Sequence, residues 1–105
     1  MVVPFSHVSR LDQLDPETRS ELMEFSSRFT QVLSEVYRPQ GFNLGINIGE
    51  VAGAGITEHI HLHIVPRWGG DSNFMTSIAG TRVLPESLEE SYLRIKQVWD
   101  RFGGI

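Results

Sequence analysis

An α+β fold is the class this 105-residue chain predicts, on three observations: a long run of apolar residues at helical spacing, two stretches that alternate strictly, and a second helical pattern near the end. With 40% hydrophobic and 21% charged residues and no low-complexity tract, the composition is that of an ordinary folded protein. The length suits one core and leaves no room for two, so residues 1–105 are expected to form a single domain.

The opening "MVVPF" is apolar and β-branched and is stopped by Pro4, which reads as the end of a strand. In "DPETRSELMEFSSRFTQVLSEVYRP", Asp15 is placed to cap and Pro16 suits a first helical position. Leu22, Phe25, Phe29, Val32, Leu33 and Val36 then recur on one helical face, until Pro39 and Gly41 end the helix. "FNLGINI" alternates, with Phe42, Leu44, Ile46 and Ile48 on one face and Asn43, Gly45 and Asn47 on the other. The glycine-rich "GEVAGAGITE" leads into "HIHLHIV", where Ile60, Leu62 and Ile64 take one face and His59, His61 and His63 the other. If these strands pair as antiparallel neighbours, the polar faces coincide, and Gly45 leaves space among the histidines and asparagines. The turn-rich "RWGGDSNFMTSIAGTRV" follows. The last helix, "PESLEESYLRIKQVWDRF", carries Leu88, Tyr92, Ile95, Trp99 and Phe102 as its apolar stripe. Glu86, Glu89 and Glu90 lie near its positive end, Lys96 and Arg101 near its negative end, and Gly103 suits its stop.

Composition removes several classes of function. Without cysteine there is no disulfide and no thiolate-bound metal, which leaves His, Asp, Glu and backbone groups as metal ligands. A net charge of -4 lacks the basic footprint of a nucleic-acid binder, though it allows a small phosphorylated ligand. The apolar runs are too short to span a membrane, and no charged and then apolar leader opens the chain, which predicts a cytoplasmic protein.

Three of the four histidines fall within five residues on one strand face. A solvent face would more naturally use Thr, Lys or Glu, so a merely polar surface explains one histidine better than three. A metal site is one chemical reading, since His-x-His on a strand can chelate zinc. It is the weaker one: the outer rings lie about 13–14 Å apart along the strand, no carboxylate shares the face, and nothing in the sequence recruits His7 or Asp71. Nucleophilic catalysis is the other. Attack needs a neutral imidazole with its lone pair on Nε2, which a backbone carbonyl accepting from Nδ1–H selects. His61, flanked on both sides, is the candidate nucleophile. Gly49, Gly53 and Gly55 precede the histidines, and a glycine-rich loop can aim N–H groups at an anion. With Asn43 and Asn47 beside them, they read as a phosphate cradle. Attack of imidazole on a phosphate ester gives a phosphoramidate that water or another phosphate can resolve.

The segment 59–65 fits every position of His-φ-His-φ-His-φ-φ, where φ is apolar, and so resembles the motif of the histidine-triad (HIT) family of nucleotide hydrolases and transferases. "FNLGINIGEVAGAG", "PRWGGDSNFM" and "VLPESLEE" look like the branch containing diadenosine tetraphosphate phosphorylases, so the resemblance covers nearly the whole chain. It implies an α+β fold with an antiparallel sheet packed with helices, a homodimer, and reaction through a nucleotidyl-histidine. His61 would take up the nucleotidyl group, His59 and His63 would orient the phosphates, and Asn47 matches a phosphate-side polar position. Asn43, Gly53, Gly55 and Thr57 complete the expected phosphate-side set. The substrate implied is a dinucleoside polyphosphate, with inorganic phosphate as acceptor in the phosphorylase branch. No cofactor is required, and a divalent metal such as magnesium would enter only with the nucleotide.

Arg67, Asp71 and Asn73 are further substrate-side candidates, against a reading as a turn held by local hydrogen bonds. Trp68 and Phe74 are expected to pack in the core, ahead of the alternative that they contact the nucleotide or a second subunit. Two departures stand out. Many relatives carry Gln and then Ser or Thr before the first histidine, where this chain has Gly55 and Ile56, and Thr57 is out of register. Relatives also carry upstream strands, with a Gly-His before the strand that "MVVP" resembles. The sheet is therefore expected to lack its usual first strands and expose an edge. His7 lies beyond Pro4 and reads as a surface or helix-entry histidine. The competing function is a nucleotide-binding module with little or no catalysis.

Overall fold

The computed structural model describes residues 1–54, 59–71 and 86–104. Helix α1 spans Pro16–Tyr37, strand β1 Gly41–Gly45, strand β2 His63–Arg67 and helix α2 Leu88–Arg101. Short 3-10 turns occupy Leu11–Gln13 and Glu50–Ala52. β1 and β2 pair as an antiparallel two-stranded sheet, and the class is α+β, as the sequence predicts. Among the described residues no helix is long and apolar enough to cross a membrane.

α1 begins as its sequence requires. The Asp15 carboxylate accepts from the Thr18 amide at 2.7 Å, and the hydrogen bonding of Thr18, its side chain ahead of its amide, holds the carboxyl below its ordinary range. Every residue of the expected stripe is withdrawn from solvent, Leu22 and Val32 fully. Ser26, absent from any apolar pattern, is also fully buried on this face and returns its hydroxyl to the Leu22 carbonyl at 2.6 Å. Arg38 stops the helix at φ 51, its amide still bonded to the Ser34 carbonyl, and Pro39 prevents resumption.

The described chain forms two compact units, Met1–Thr30 with Asn43–Val65, and Gln31–Phe42 with Pro66–Ile105. In the first, Leu14, Leu22 and Ile60 form the buried cluster, with Val2, Val8, Leu11 and Ile46 packed on it. The strand expected over 59–65 is divided between partners. Val2 and Leu62 exchange both backbone hydrogen bonds, at 2.8 and 2.9 Å, as an isolated antiparallel bridge, and the Ile60 amide donates to Val8. Pairing with β1 begins only at His63. "MVVPF" thus supplies one bridging residue beside the histidine segment.

β1 is shorter than "FNLGINI" suggests, ending at Gly45, and its expected apolar face is divided. Ile46 joins the core, whereas Leu44 and Ile48 remain 44% and 40% exposed, since no described residue covers them as a second layer.

In the second unit, Ser87 caps α2 by accepting from the Glu90 amide at 3.1 Å. Gly104 donates to Trp99 and Gly103, at φ 103, to Asp100, which completes a Schellman stop at the predicted glycine. The buried face differs from the predicted stripe. Leu88, Tyr92 and Phe102 are exposed, and the inward line is Ser91, Ile95, Val98 and Trp99, of which Ile95 and Trp99 belong to the predicted stripe. Polar ties accompany this face. Glu86 accepts from Tyr37 Oη at 2.6 Å, Ser91 Oγ at 2.8 Å and Arg94 at 2.5 Å, and Arg94 also donates to the Val36 carbonyl.

Candidate functional site

The site is built on the histidine segment of the first unit. Ile60 and Leu62 turn into the core at 1% and 4% exposure, so strand alternation sends His59, His61 and His63 to the opposite face, each half-buried. Burying two large aliphatic side chains fixes the register, because a one-residue slip would put imidazoles into the core.

The hydrogen bonds assign the tautomers. His61 Nδ1 lies 3.1 Å from the His59 carbonyl oxygen, which can only accept. His61 therefore donates from Nδ1 and, when neutral, carries its lone pair on Nε2, the arrangement a nucleophilic imidazole needs. His59 Nε2 lies 2.8 Å from the Pro4 carbonyl oxygen, so His59 donates from Nε2 and, when neutral, accepts at Nδ1. The donor to that Nδ1 is His7, whose own Nδ1 is 3.1 Å away, with the rings edge to face at 4.9 Å between centroids. His7 is exposed, as its sequence reading expects, and the contact with His59 adds to that reading. No local signal in the sequence announces it.

His63 lies beyond His61, with ring centroids 6.4 Å apart and planes tilted by 57°. Its imidazole leans over β1, where Gly45 leaves room. Asn43 shares that face of β1 by alternation and is exposed. Asn47 follows the strand, also exposed, with its amide nitrogen 3.5 Å from where a Cβ on Gly53 would stand. Gly53 adopts φ 100, a left-handed conformation that favours glycine, and its amide donates to Glu50. The Gly49 carbonyl accepts from both Ala52 and Ala54. The loop's amides at 52, 53 and 54 are therefore engaged in its own turn. Gly55 and Thr57 lie outside the described residues, as do Ile56, Asn73 and Phe74.

In the second unit, Arg67 and Asp71 form a paired contact, with Nε and one terminal nitrogen each 2.6 Å from a carboxylate oxygen, and the Trp68 amide adds a third bond at 2.9 Å. The Arg67 guanidinium holds the Asp71 carboxyl below its usual range. This is a turn tied by local hydrogen bonds, and the structure does not assign it a ligand. Trp68 is 37% exposed and so is not the core residue expected.

An open cleft of about 460 Å³ in the first unit is lined by Arg10, Leu11, Asp12, Arg19 and Ile48 and includes no histidine. Its arginines already have partners: Arg10 forks onto Asp12 at 2.8 and 2.9 Å, and Arg19 donates to the Leu14 carbonyl. Among the described residues, no three His, Asp or Glu side chains converge as a metal-binding group.

Comparison with known proteins identifies the family. The model of the HIT domain matches residues 1–70. The AP-4-A phosphorylase of Mycobacterium tuberculosis is 45% identical over 101 residues, which is 96% of this chain and 52% of that protein. The asymmetrical bis(5'-nucleosyl)-tetraphosphatase of Schizosaccharomyces pombe is 34% identical over 71 residues, 68% of this chain and 38% of that protein. The chain thus spans about half the length, or less, of these curated relatives. Among solved structures, a zinc-bound histidine triad family protein of Mycobacterium smegmatis superposes with a TM-score of 0.72 at 29% identity, covering 95% of this chain and 67% of that one.

Proposed function

Because the chain belongs to the HIT family, we propose that it transfers a nucleotidyl group from a dinucleoside polyphosphate, with His61 as the covalent nucleophile. The observation that carries this reading is the His61 Nδ1–H bond to the His59 carbonyl, which directs the lone pair to Nε2 on the polar face of the strand. Relatives named as a phosphorylase and a tetraphosphatase of such compounds support the substrate class.

The chemistry balances in two steps. His61 Nε2 attacks the α-phosphorus of a dinucleoside tetraphosphate, a P–N bond forms, and the bond to the bridging oxygen breaks to release a nucleoside triphosphate. An oxygen of inorganic phosphate then attacks the same phosphorus, the P–N bond breaks, and a nucleoside diphosphate leaves. Water in place of phosphate yields the monophosphate. His59 and His63 flank the nucleophile: His63 orients the phosphates, His59 holds His61 through its backbone carbonyl while its own ring meets Pro4 and His7, and Asn43 and Asn47 lie on the phosphate side. Gly53 shapes the loop through its left-handed backbone, and Gly55 and Thr57 belong to the same phosphate-side set by the family resemblance. The working form is a homodimer in the cytoplasm. It needs no cofactor, and magnesium enters only as the nucleotide's counter-ion.

The test is mass spectrometry of the chain incubated with diadenosine tetraphosphate, with and without phosphate, denatured in base because phosphoramidates hydrolyse in acid. The expected result is a nucleoside-monophosphate adduct that His61→Ala abolishes, with turnover falling by about three orders of magnitude or more. An adduct that persists in His61→Ala refutes the assignment. Tight nucleotide binding without turnover at any phosphate concentration selects a binding module instead.

A further inference from the structure

Gly45 closes β1 opposite His63, and a Cβ built on it would stand 2.8 Å from His63 Nε2, 3.3 Å from Cε1 and 3.6 Å from Cδ2. Real Cβ atoms do not approach a ring so closely, so the imidazole occupies the volume that any other residue's side chain would fill. Gly45 is not one of the glycines with positive φ, so its backbone would accept an L residue. Its want of a side chain therefore serves space. Side chains on a strand ordinarily stand off the sheet, whereas the His63 ring leans across β1 into this gap. That lean sets the ring at 6.4 Å and 57° to His61.

We propose that Gly45 is a positioning residue: by leaving its side-chain volume empty it sets the place of the His63 imidazole beside the nucleophile. Its effect on catalysis rests on the function proposed above; its effect on His63 does not. Gly45→Ala gives way most easily at the ring, the movable end of a side chain, so the fold persists while His63 is displaced. Misplacement of a catalytic group by about 1 Å can cost on the order of 10²-fold in rate.

The experiment compares the full chain with Gly45→Ala, His63→Ala and the double variant. Imidazole nitrogen spectra are recorded for each chain that retains His63, alongside the rate of adduct formation and nucleotide affinity for all four. The expected result is that Gly45→Ala moves the His63 ring signals and leaves those of His59 in place. Adduct formation should slow by about 10- to 100-fold, and this loss should shrink to within about twofold when His63 is already alanine. Unmoved His63 signals overturn the proposal, and so does an equal loss in the His63→Ala background. If Gly45→Ala does not fold, the double variant decides: recovery of the fold supports the clash with His63, and continued unfolding overturns it. A wild-type chain that never forms the adduct sinks the enzyme reading, while the spectra still decide whether Gly45 places His63.

Discussion

A backbone carbonyl can only accept, so the two carbonyls that meet the histidine segment dictate where its ring protons sit. Pro4 takes the Nε2–H of His59, and His59 in turn takes the Nδ1–H of His61. Histidines two residues apart on one face therefore hold opposite tautomers. In imidazole nitrogen spectra taken in base, where the rings are neutral, His61 should show a protonated Nδ1 and His59 a protonated Nε2. Finding both rings with the same tautomer would remove the geometric case for His61 as nucleophile. That a nucleophilic His61 needs a carbonyl tether on Nδ1 is foreseeable from the chemistry, but which carbonyl supplies it is not. Nor is the tether on His59, because Pro4 and His7 stand 55 and 52 residues away and no local pattern marks them as neighbours.

Helix ends were legible because capping is local chemistry. Asp15, Pro16 and Thr18 fix the start of α1 within four residues, and Gly103 and Gly104 close α2 by the bonds their conformations permit. The buried face of α2 was legible only in part: Ile95 and Trp99 turn inward as their spacing expects, whereas Leu88, Tyr92 and Phe102 do not, and Val98 is buried outside the expected stripe. Glu86, just before the helix, meets Tyr37 from 49 residues away, a contact that no local pattern announces. Hydrogen bonds from Tyr37, Ser91 and Arg94, in that order of effect, lower the Glu86 carboxyl from 4.5 to about 2. A depressed folded-state value means that the stabilisation is complete above the unfolded value near 4.5 and is lost as pH falls toward 2. Denaturation of the wild type and Glu86→Gln across pH 7 to 2 should show the wild type more stable at neutral pH, with the gap closing below about pH 4.5. A gap that stays constant through that window would mean that the Glu86 charge does not anchor the helix. Asp12, Asp15 and Asp71 also titrate low but are shared by both proteins, so the difference isolates Glu86.

In the first unit, the residues that hold the core and those that present the chemistry alternate along one segment, so stability and site geometry are not separable there. Alternation in the sequence announced this much. It did not announce that the segment is held by two partners in succession, Val2 and Val8 first and β1 from His63 onward, because pairing across the chain leaves no trace in periodicity. Ile60 is where the two roles meet: it is 1% exposed, packs with Leu14 and Leu22, and lies between His59 and His61. Ile60→Ala leaves a cavity under the histidines and should cost about 2–5 kcal/mol, whereas Ile60→Val should cost about 0.5–1.5 kcal/mol. Urea denaturation measures both, and a loss under about 1 kcal/mol for alanine would show that the cluster does not anchor the segment. The valine variant carries the sharper reading. It keeps the β-branch and most of the volume, so His59 and His61 should retain their opposite tautomers even as stability falls. If instead the tautomers change while the fold holds, packing beneath the strand sets the ring geometry more strongly than the two carbonyls do.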